Sequence, residues 1–475
     1  MGKIGTIIFD EAHHLESCGH RFLRVELDTA RLNLFVDLIN NLVLTIGELK
    51  EEEKIYGIGK EQRNILKHMR KRSQELMEGL GNWAAKQSGT DEYQIAYHEN
   101  DFDSMVEPSA FAADLSELLD RLSALKQELS SVEQAKKFED LSAQVQSCYE
   151  RASQLKADFS YLIAAKTEDH VFWLEGNRAK NWAKLCGVPL DIGGVLSDVW
   201  ERCDGGVVFT SATLSVSRSV DYFKRAVGLV AHENRTVAGF FKSPFGPHQS
   251  IIGGIKSSPE PDSPQFPAYI ADTISRLHTE LHKNILVLFT ANTMLNAVND
   301  LLRADGKIDN GKILAQGAGG SRQNILDQFK QNQSMILLGT DSFWEGIDVP
   351  GEACEIVIIP RLPFPVPTHP LTVAISKRME QLNGESFFSY SIPEAIIKYR
   401  QGAGRLIRTV NDRGALIVLD NRILTKGYGK QFIKALDGDF KNFEDVSNMV
   451  LSIKEFFNTD PSSETSTISY VPLED

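Results

Sequence analysis

Residues 3–14 read KIGTIIFDEAHH, and this stretch decides the fold class of the chain. Residues 3–9 are mostly apolar and β-branched, which is typical of a buried strand in a parallel sheet. Two adjacent carboxylates, Asp10 and Glu11, follow at the carboxyl end of that strand. Ligands of open α/β sheets bind at the carboxyl ends of the strands. The stretch therefore predicts an α/β fold with a ligand site at these two carboxylates.

This carboxylate pair suits nucleotide hydrolysis, because the two groups can divide the work. Asp10 can hold Mg²⁺ on the β- and γ-phosphates, while Glu11 orients or deprotonates the attacking water. A phosphate-binding loop, G-x-x-x-x-G-K-[ST], is absent from the sequence. Its nearest candidate, residues 57–61, has Lys54 in place of the first Gly and Glu61 in place of the Mg²⁺-binding hydroxyl, so we reject it.

Residues 401–408, QGAGRLIR, indicate the other side of the same cleft. Arg405 and Arg408 lie three residues apart, so on a helix they share a face. Two guanidinium groups on one face can bind a triphosphate reached from across a cleft, because the planar fork makes bidentate phosphate contacts. Arginines are usually solvated on a protein surface, but Gln401 and Gly404 in the same stretch favour the functional interpretation.

An interior parallel strand at the start of a chain lacks neighbours on its edges and helices on its faces. We therefore expect this chain to be the C-terminal part of a longer protein, or a reading frame that begins inside one. At 475 residues the chain is long enough for about three domains.

The composition favours a packed globular protein. The chain is 42% hydrophobic and 24% charged, and its net charge is −13. That charge argues against coating nucleic acid through bulk positive charge, but it leaves room for a local basic groove. Five scattered cysteines without C-x-x-C spacing give no support to a disulfide framework or a zinc site. No signal peptide or membrane span is expected, so the cytoplasm is the expected location.

Residues 109–162 carry a coiled-coil-like pattern of apolar residues in two blocks, with a phase slip near residues 135–138. We expect two antiparallel helices, and a structural hairpin without ligand contact is as well supported as a functional one. The positions are Leu115, Leu118, Leu122, Leu125, Leu129 and Val132, then Leu141, Val145, Cys148, Ala152, Leu155, Phe159 and Leu162.

Later in the chain, short apolar runs alternate with helical patterns, which predicts a doubly wound parallel sheet. Strands are expected at residues 206–209, 285–289, 335–338, 356–359 and 415–419. The predicted domain boundaries are a first, truncated α/β domain at 1–18 and 203–235, a helical insertion at 19–202, a second α/β domain at 236–457 and a polar tail at 458–475.

Two loops that follow predicted strands have a suitable composition for coupling and for nucleic-acid contact. Ser211 and Thr213 can hydrogen-bond the carboxylate loop, although small hydroxyl residues also end strands without any function. Residues 339–348, GTDSFWEGID, combine hydroxyl, acidic and glycine residues that can approach a nucleic-acid backbone closely. A plain connecting loop is the alternative for the second segment.

Taken together, the motifs resemble those of superfamily 2 helicases, and among them the DinG/XPD-like group in its bacterial DinG branch. The resemblance covers nearly the whole chain, and the motifs occur in the family's order. They are residues 7–15 (IIFDEAHHL), 207–214 (VVFTSATL), 286–292 (LVLFTAN), 338–351 (LGTDSFWEGIDVPG) and 399–408 (YRQGAGRLIR), with 243–245 (SPF), 314–317 (LAQG) and 361–364 (RLPF) in addition.

The resemblance implies two RecA-like P-loop NTPase domains, the first one truncated, with a large α-helical arch inserted between them. It further implies an ATP-dependent DNA helicase or ATPase of DNA repair that translocates 5′ to 3′ on single-stranded or forked DNA, most simply as a monomer. ATP and Mg²⁺ are the implied cofactors. The cysteines of the iron–sulfur cluster that some members carry would lie upstream, as would the exonuclease domain of others, so the sequence decides neither.

The resemblance also implies roles for individual residues. Asp10 would bind Mg²⁺ through ATP and Glu11 would activate water. The nucleotide-binding group would be Asp10, His13, Gly346, Asp348, Gln401, Arg405 and Arg408. The residues of coupling and DNA contact would be Ser211, Thr213, Thr290, Thr340 and Asp341. The alternative is a non-enzymatic nucleic-acid-binding or regulatory remnant, which the missing phosphate loop favours.

Overall fold

The computed structural model describes residues 5–47, 60–101, 109–131, 139–166, 169–203, 205–216, 218–241, 243–317, 320–344 and 354–459. The predicted site residues Gly346 and Asp348, the phase slip at 135–138 and most of the predicted tail lie outside these residues. The mixed α/β class is as predicted, and the helical content is high. The domain boundaries proposed from the sequence stay predictions.

A two-stranded parallel sheet holds the loop of residues 10–13 (DEAH), which we call the DEAH loop. Its strands β1 (Ile7–Phe9) and β6 (Val207–Phe209) pair residue for residue, with Phe9 opposite Phe209. The rings of Phe9 and Phe209 stack on one face, at a centroid distance of 5.6 Å. On the other face Ile8 is 68% and Val208 44% exposed. The prediction of a fully buried strand is therefore wrong for β1, because only one face of this small sheet is covered by the described residues.

The helical pattern between these strands is confirmed as two long helices, Ser109–Ser131 and Glu139–Ala164. The described positions of the apolar pattern are buried along the seam between the helices. They run antiparallel, since Phe111, near the start of the first, makes an edge-on ring contact at 4.9 Å with Phe159, near the end of the second. Helices Thr29–Gly47 and Lys60–Ser88 pack around this pair.

The same insertion contains a four-stranded antiparallel sheet that the sequence analysis missed. Its strands are β2 (Val25–Asp28), β3 (Glu92–Ala96), β4 (His170–Asn177) and β5 (Trp182–Pro189), in the order β2-β5-β4-β3. The hairpin between β4 and β5 turns at Asn181, whose φ of 49° lies in the left-handed region. The insertion is therefore helical only in part. Helix Pro370–Asn383, which belongs to the seven-stranded region described next, packs against strands β3 and β4 of this sheet.

The largest sheet among the described residues, which we call the large sheet, has seven parallel strands. They are β7 (Ser250–Ile255), β8 (Ile285–Leu288), β9 (Ile313–Ala315), β10 (Ile336–Gly339), β11 (Ile356–Ile359), β12 (Gly414–Val418) and β13 (Phe440–Phe443), in the order β13-β7-β12-β11-β8-β10-β9. The four predicted strands β8, β10, β11 and β12 are confirmed to within one residue at each end. All seven strands point the same way, so their carboxyl ends share one edge.

Helices cover both faces of this sheet, and each face packs its own apolar core. The helices of this region are Phe266–Leu281, Asn292–Asp305, Arg322–Gln331, Asp341–Trp344, Pro370–Asn383, Ile392–Ala403, Arg422–Thr425, Gly429–Lys434 and Val446–Asn458. Three helices near the small sheet are Leu15–Leu23, Ile192–Glu201 and Asp221–Ala226. In the part of the chain that is described, no helix has the length and apolar character to cross a membrane.

Candidate nucleotide cleft

The two predicted catalytic carboxylates lie on a tight loop directly after β1. Glu11 has φ 49° and ψ 44°, the left-handed conformation that residues other than glycine seldom adopt. Oδ1 of Asp10 accepts hydrogen bonds from Thr210 Oγ1 at 2.9 Å and from the Glu11 amide at 3.0 Å. The loop is thus tied to the end of β6. Such strained backbone is often kept at functional sites.

The predicted coupling residues Ser211 and Thr213 lie beside this loop. The Ser211 hydroxyl donates to Oε2 of Glu11 at 3.1 Å and lies 2.6 Å from Nδ1 of His13. The Thr213 amide donates to Ser211 Oγ at 3.1 Å, and Thr213 is buried. The structure therefore brings together four residues that the sequence analysis selected from two distant motifs.

His13 also contacts the second side of the cleft. Its Nε2 hydrogen-bonds the side-chain amide nitrogen of Gln401, on the last turn of helix Ile392–Ala403. One residue before it, Arg400 donates from Nη1 to the Ser215 carbonyl at 2.8 Å. Arg400 was missed by the sequence analysis. These two contacts join the loop of residues 10–13 and its partner segment from β6 to the QGAGRLIR segment, and a shared nucleotide cleft between them stays a prediction.

The hydrogen-bond directions in this network follow from the number of protons available. Ser211 has one hydroxyl proton, and when it goes to Glu11, Nδ1 of His13 must donate to Ser211 Oγ. A neutral imidazole protonated at Nδ1 has a lone pair at Nε2, which accepts from the Gln401 amide. The result is a directed chain from Gln401 through His13 and Ser211 to Glu11, which we call the relay.

The electrostatics of His13 fit this assignment. Burial, with a smaller contribution from the neighbouring His14, lowers the pKa of His13 from 6.5 to about 4. The imidazole is therefore neutral at pH 7, as the relay requires. Its side chain is 5% exposed, whereas that of Glu11 is 61% exposed and accessible to a ligand.

The two predicted arginines do not share a helical face. The helix ends at Ala403, and both arginines follow in an irregular segment, so the basis of that prediction is wrong. Arg405 donates from Nε and Nη2 to the Trp344 carbonyl at 3.1 and 2.8 Å. The backbone amide of Arg408 donates to Asp412 Oδ2 at 2.8 Å. A turn at residues 404–406 and irregular backbone after it, rather than a continuing helix, carry both side chains.

Trp344 is a structural centre of this region that the sequence analysis did not select. It is fully buried, and its Nε1 donates to the Phe289 carbonyl at 2.9 Å. Helix Ile392–Ala403 passes close to it, since a Cβ on Gly402 would lie 2.8 Å from its ring. The glycine of the QGAGRLIR stretch therefore permits the close packing that positions Gln401 and Arg405.

Thr290, Thr340 and Asp341 follow adjacent strands at the carboxyl edge of the large sheet. Thr290 is partly exposed after β8, and Asp341 begins helix Asp341–Trp344 after β10. Thr340 is only 5% exposed, and both its amide and its hydroxyl lie within 3.0 Å of Gln316 Oε1. The hydrogen bonds of Thr340 thus hold the loop in place rather than face a ligand. Its partner Gln316 lies in the LAQG motif and was not selected by the sequence analysis.

Asp10 is the residue that the sequence analysis predicted to bind Mg²⁺ through ATP, and its carboxylate could serve as one ligand of a magnesium–nucleotide complex. No group of three His, Cys, Asp or Glu side chains that could hold a metal occurs among the described residues. Mg²⁺ in nucleotide sites usually binds one or two carboxylates together with phosphate oxygens and water. Both hydrogen bonds that Asp10 accepts from described residues end at Oδ1, so Oδ2 could face a cation.

Comparisons with known proteins show which families the chain is similar to. Residues 274–438 match the family model "Helicase C-terminal domain". The chain is 30% identical over 476 residues to the 3'-5' exonuclease DinG of Bacillus subtilis, covering 92% of this chain and 49% of that protein. It is 29% identical over 433 residues to the ATP-dependent DNA helicase YoaA of Haemophilus influenzae, covering 91% of this chain and 62% of that protein.

Solved structures show the same fold. An XPD helicase structure is similar with a TM-score of 0.54 and 16% identity, over 92% of this chain and 68% of that chain. The structure of S. tokodaii Xpd4 is similar with a TM-score of 0.53 and 13% identity, over 92% of this chain and 75% of that chain. The resemblance to DinG/XPD-like superfamily 2 helicases is confirmed. The chain spans about half the length of the Bacillus subtilis relative.

Proposed function

We propose that this chain is the motor portion of an ATP-dependent DNA helicase of the DinG type, which translocates 5′ to 3′ on single-stranded DNA. The single observation that carries the proposal is the relay from Gln401 through His13 and Ser211 to Glu11. It links a candidate catalytic carboxylate to the opposite side of the cleft. A structural loop has no need of such a link.

Each side of the cleft has a chemical task in this proposal. Asp10 would hold Mg²⁺ on ATP, and Glu11 would orient or deprotonate the attacking water. From the other side Gln401, Arg405 and Arg408 bind the phosphates, and the arginines stabilise the charge that develops in the transition state. Arg405 must then exchange its present contact with the Trp344 carbonyl for phosphate when the cleft closes.

Closure of the cleft would move the DNA. Strand ends at one edge of the large sheet carry Thr290 and Asp341, and ligands of parallel sheets bind at that edge. His13 and Thr213 would transmit the state of the nucleotide to this edge through Ser211. Gly346 and Asp348, in the GTDSFWEGID stretch, stay candidates for nucleotide binding.

The motor needs a phosphate-binding loop that this sequence does not contain. The exposed face of the small sheet, with Ile8 and Val208, offers a surface on which a segment carrying that loop can pack. We expect negligible ATP hydrolysis by the chain alone, because the loop and its lysine cradle the phosphates.

The test is complementation. A fusion of this chain to the phosphate-loop segment of a DinG relative is expected to hydrolyse ATP in response to single-stranded DNA and to lose this activity on Glu11→Gln. Unwinding of substrates with a 5′ or a 3′ overhang then gives the direction of translocation.

One alternative is a non-enzymatic nucleic-acid-binding remnant, which the missing phosphate loop favours. This remnant would bind single-stranded DNA with the large sheet and would gain no ATPase activity from the fusion. DNA-stimulated ATP hydrolysis by the fusion therefore distinguishes the motor from the remnant.

A further inference from the structure

An exposed group of aromatic rings lies at the carboxyl edge of the large sheet. We call Phe364, Phe387, Phe388 and Tyr428 the aromatic platform. The rings of Phe364 and Phe387 stack at 5.6 Å with an interplanar angle of 26°, and Tyr428 contacts both edge-on at 5.6 and 5.3 Å. Phe388 meets Phe387 edge-on at 5.5 Å. The four rings thus form one continuous group.

Two members of the platform are unusually exposed for phenylalanine. Phe387 is 39% and Phe388 51% exposed, whereas Phe364 and Tyr428 are partly buried. Phe387 and Phe388 begin a π-helical segment, Phe387–Ser391. Segments of this kind are rare and frequently occur at functional sites. Packing alone gives no reason to hold these two rings at the surface.

The platform is fixed from below. Phe364 contacts the buried ring of Phe432 at 5.7 Å, and the Arg422 guanidinium lies 5.7 Å from the Phe364 centroid. Arg422 is itself held by the fully buried Asp420, at 2.7 Å. Phe364, on which Phe387 stacks, is therefore ordered in advance, which reduces the entropy that a ligand must overcome there.

Its position relates the platform to the proposed path of DNA. Phe364 follows β11, which lies between β12 and β8, and Thr290 follows β8. Because these strands are parallel, Phe364 and Thr290 share one edge of the sheet, and the ring contact with Phe364 brings Tyr428 to the same place. Two exposed lysines, Lys426 and Lys430, flank Tyr428 in the sequence KGYGK, and neither forms an ion pair among the described residues.

We propose that the aromatic platform stacks on the bases of single-stranded DNA, while Lys426 and Lys430 contact the adjacent phosphates. Every base has a π-face, so stacking on aromatic rings binds a strand without reading its sequence, as a translocating motor requires. This inference rests on the proposed function and identifies a binding surface for its DNA substrate.

The test is fluorescence anisotropy with the full chain and two labelled strands of equal length, a thymidine homopolymer and an abasic strand that keeps only the backbone. The intact chain is expected to bind the thymidine strand more tightly. Phe388→Ala should raise Kd for the thymidine strand about tenfold and leave Kd for the abasic strand nearly unchanged. Lys426→Ala should weaken the binding of both strands alike.

Matched variants keep the test interpretable. Phe388→Tyr retains the ring and should bind as the parent does, and the melting temperature of each variant reports folding. Phe241→Ala removes a phenylalanine that is 93% exposed elsewhere and should have no effect. Binding of the thymidine strand that Phe388→Ala and Phe387→Ala leave unaltered would overturn this inference alone and assign the rings to a protein partner. Binding of neither strand by the intact chain would contradict the proposed DNA-binding function as well.

Discussion

His13 and Gln401 are hydrogen-bonded to each other although 388 positions separate them in the sequence. Nε2 of His13 accepts from the Gln401 amide, and the same ring donates from Nδ1 toward Ser211, 2.6 Å away. A neutral imidazole is suited to this position because one of its nitrogens donates and the other accepts. The contact connects the two stretches that the sequence analysis assigned to one cleft.

We predict that Gln401→Glu raises the pKa of His13. A carboxylate opposite Nε2 accepts where Gln401 donates and stabilises the imidazolium, whereas burial now lowers that pKa to about 4. Titration of the histidine ring nitrogens by ¹⁵N NMR measures this pKa. Gln401→Ala is the control and should leave the pKa low, because burial is its main cause. An unchanged pKa in Gln401→Glu would show that the two side chains are apart in solution.

The arginine pair gives a second prediction. In the fusion that carries the phosphate loop, Arg408→Ala should lower ATP turnover by about 10³-fold, because the lost interaction is strongest in the transition state. Arg408→Lys should recover little, since a point charge does not reproduce the bidentate fork. Turnover and melting temperature are measured on one preparation. A lower melting temperature with normal turnover per folded molecule would assign Arg408 a structural role through Asp412.

A third prediction concerns Glu16, on the helix after the DEAH loop. Burial, together with the charges of Glu394 and Asp191, raises the pKa of Glu16 from 4.5 to about 8. The folded state thus binds the proton more tightly than the unfolded state, so this contribution to stability is complete below pH 4.5 and is lost as pH rises through about 8.

Glu16→Gln, which mimics the protonated acid, should therefore weaken the fall in melting temperature between about pH 6 and about pH 9. Thermal unfolding at the two pH values measures this difference. Glu78→Gln, at an exposed position of helix Lys60–Ser88, is the control and should follow the parent. A parallel pH dependence of Glu16→Gln and parent would place Glu16 in a solvated environment.

The paired helices of the insertion give a fourth prediction. Leu125→Ala removes a side chain that is fully buried in the seam and should lower the free energy of unfolding by about 2–5 kcal/mol. Leu34→Ala, at a position 71% exposed on a neighbouring helix, is the matched control, with an expected effect within about 0.5 kcal/mol. Urea unfolding followed by circular dichroism compares them. Equal losses of unfolding free energy in the two variants would contradict the burial of Leu125 between the paired helices.

Much of the fold could be predicted because its signals are local. Strands β8 and β11 are continuous apolar runs bounded by polar residues, so their type and position follow from the sequence. Strand β7 was missed because Gly253 and Gly254 interrupt the apolar run SIIGGI. Gly253 has a tertiary reason, since a Cβ there would lie 2.4 Å from the Phe443 ring of the neighbouring strand.

The site could be predicted in its membership but not in its geometry. Glu11, His13, Ser211 and Gln401 were all selected from motifs. The contact between His13 and Gln401 depends on how the two sides pack, which no local pattern contains. The assumption that the helix extends past Ala403 was wrong, because spacing alone does not reveal where a helix ends.

The most direct measurement of the central claim is the DNA-stimulated ATPase activity of two proteins, the 475-residue chain and its fusion to a phosphate-loop segment. The account predicts negligible hydrolysis by the chain alone, hydrolysis stimulated by single-stranded DNA in the fusion, and loss of that activity in the fusion with Glu11→Gln. Robust turnover by the chain alone that Glu11→Gln abolishes would contradict the need for the loop. A folded fusion that binds ATP and DNA but hydrolyses nothing would contradict the motor itself.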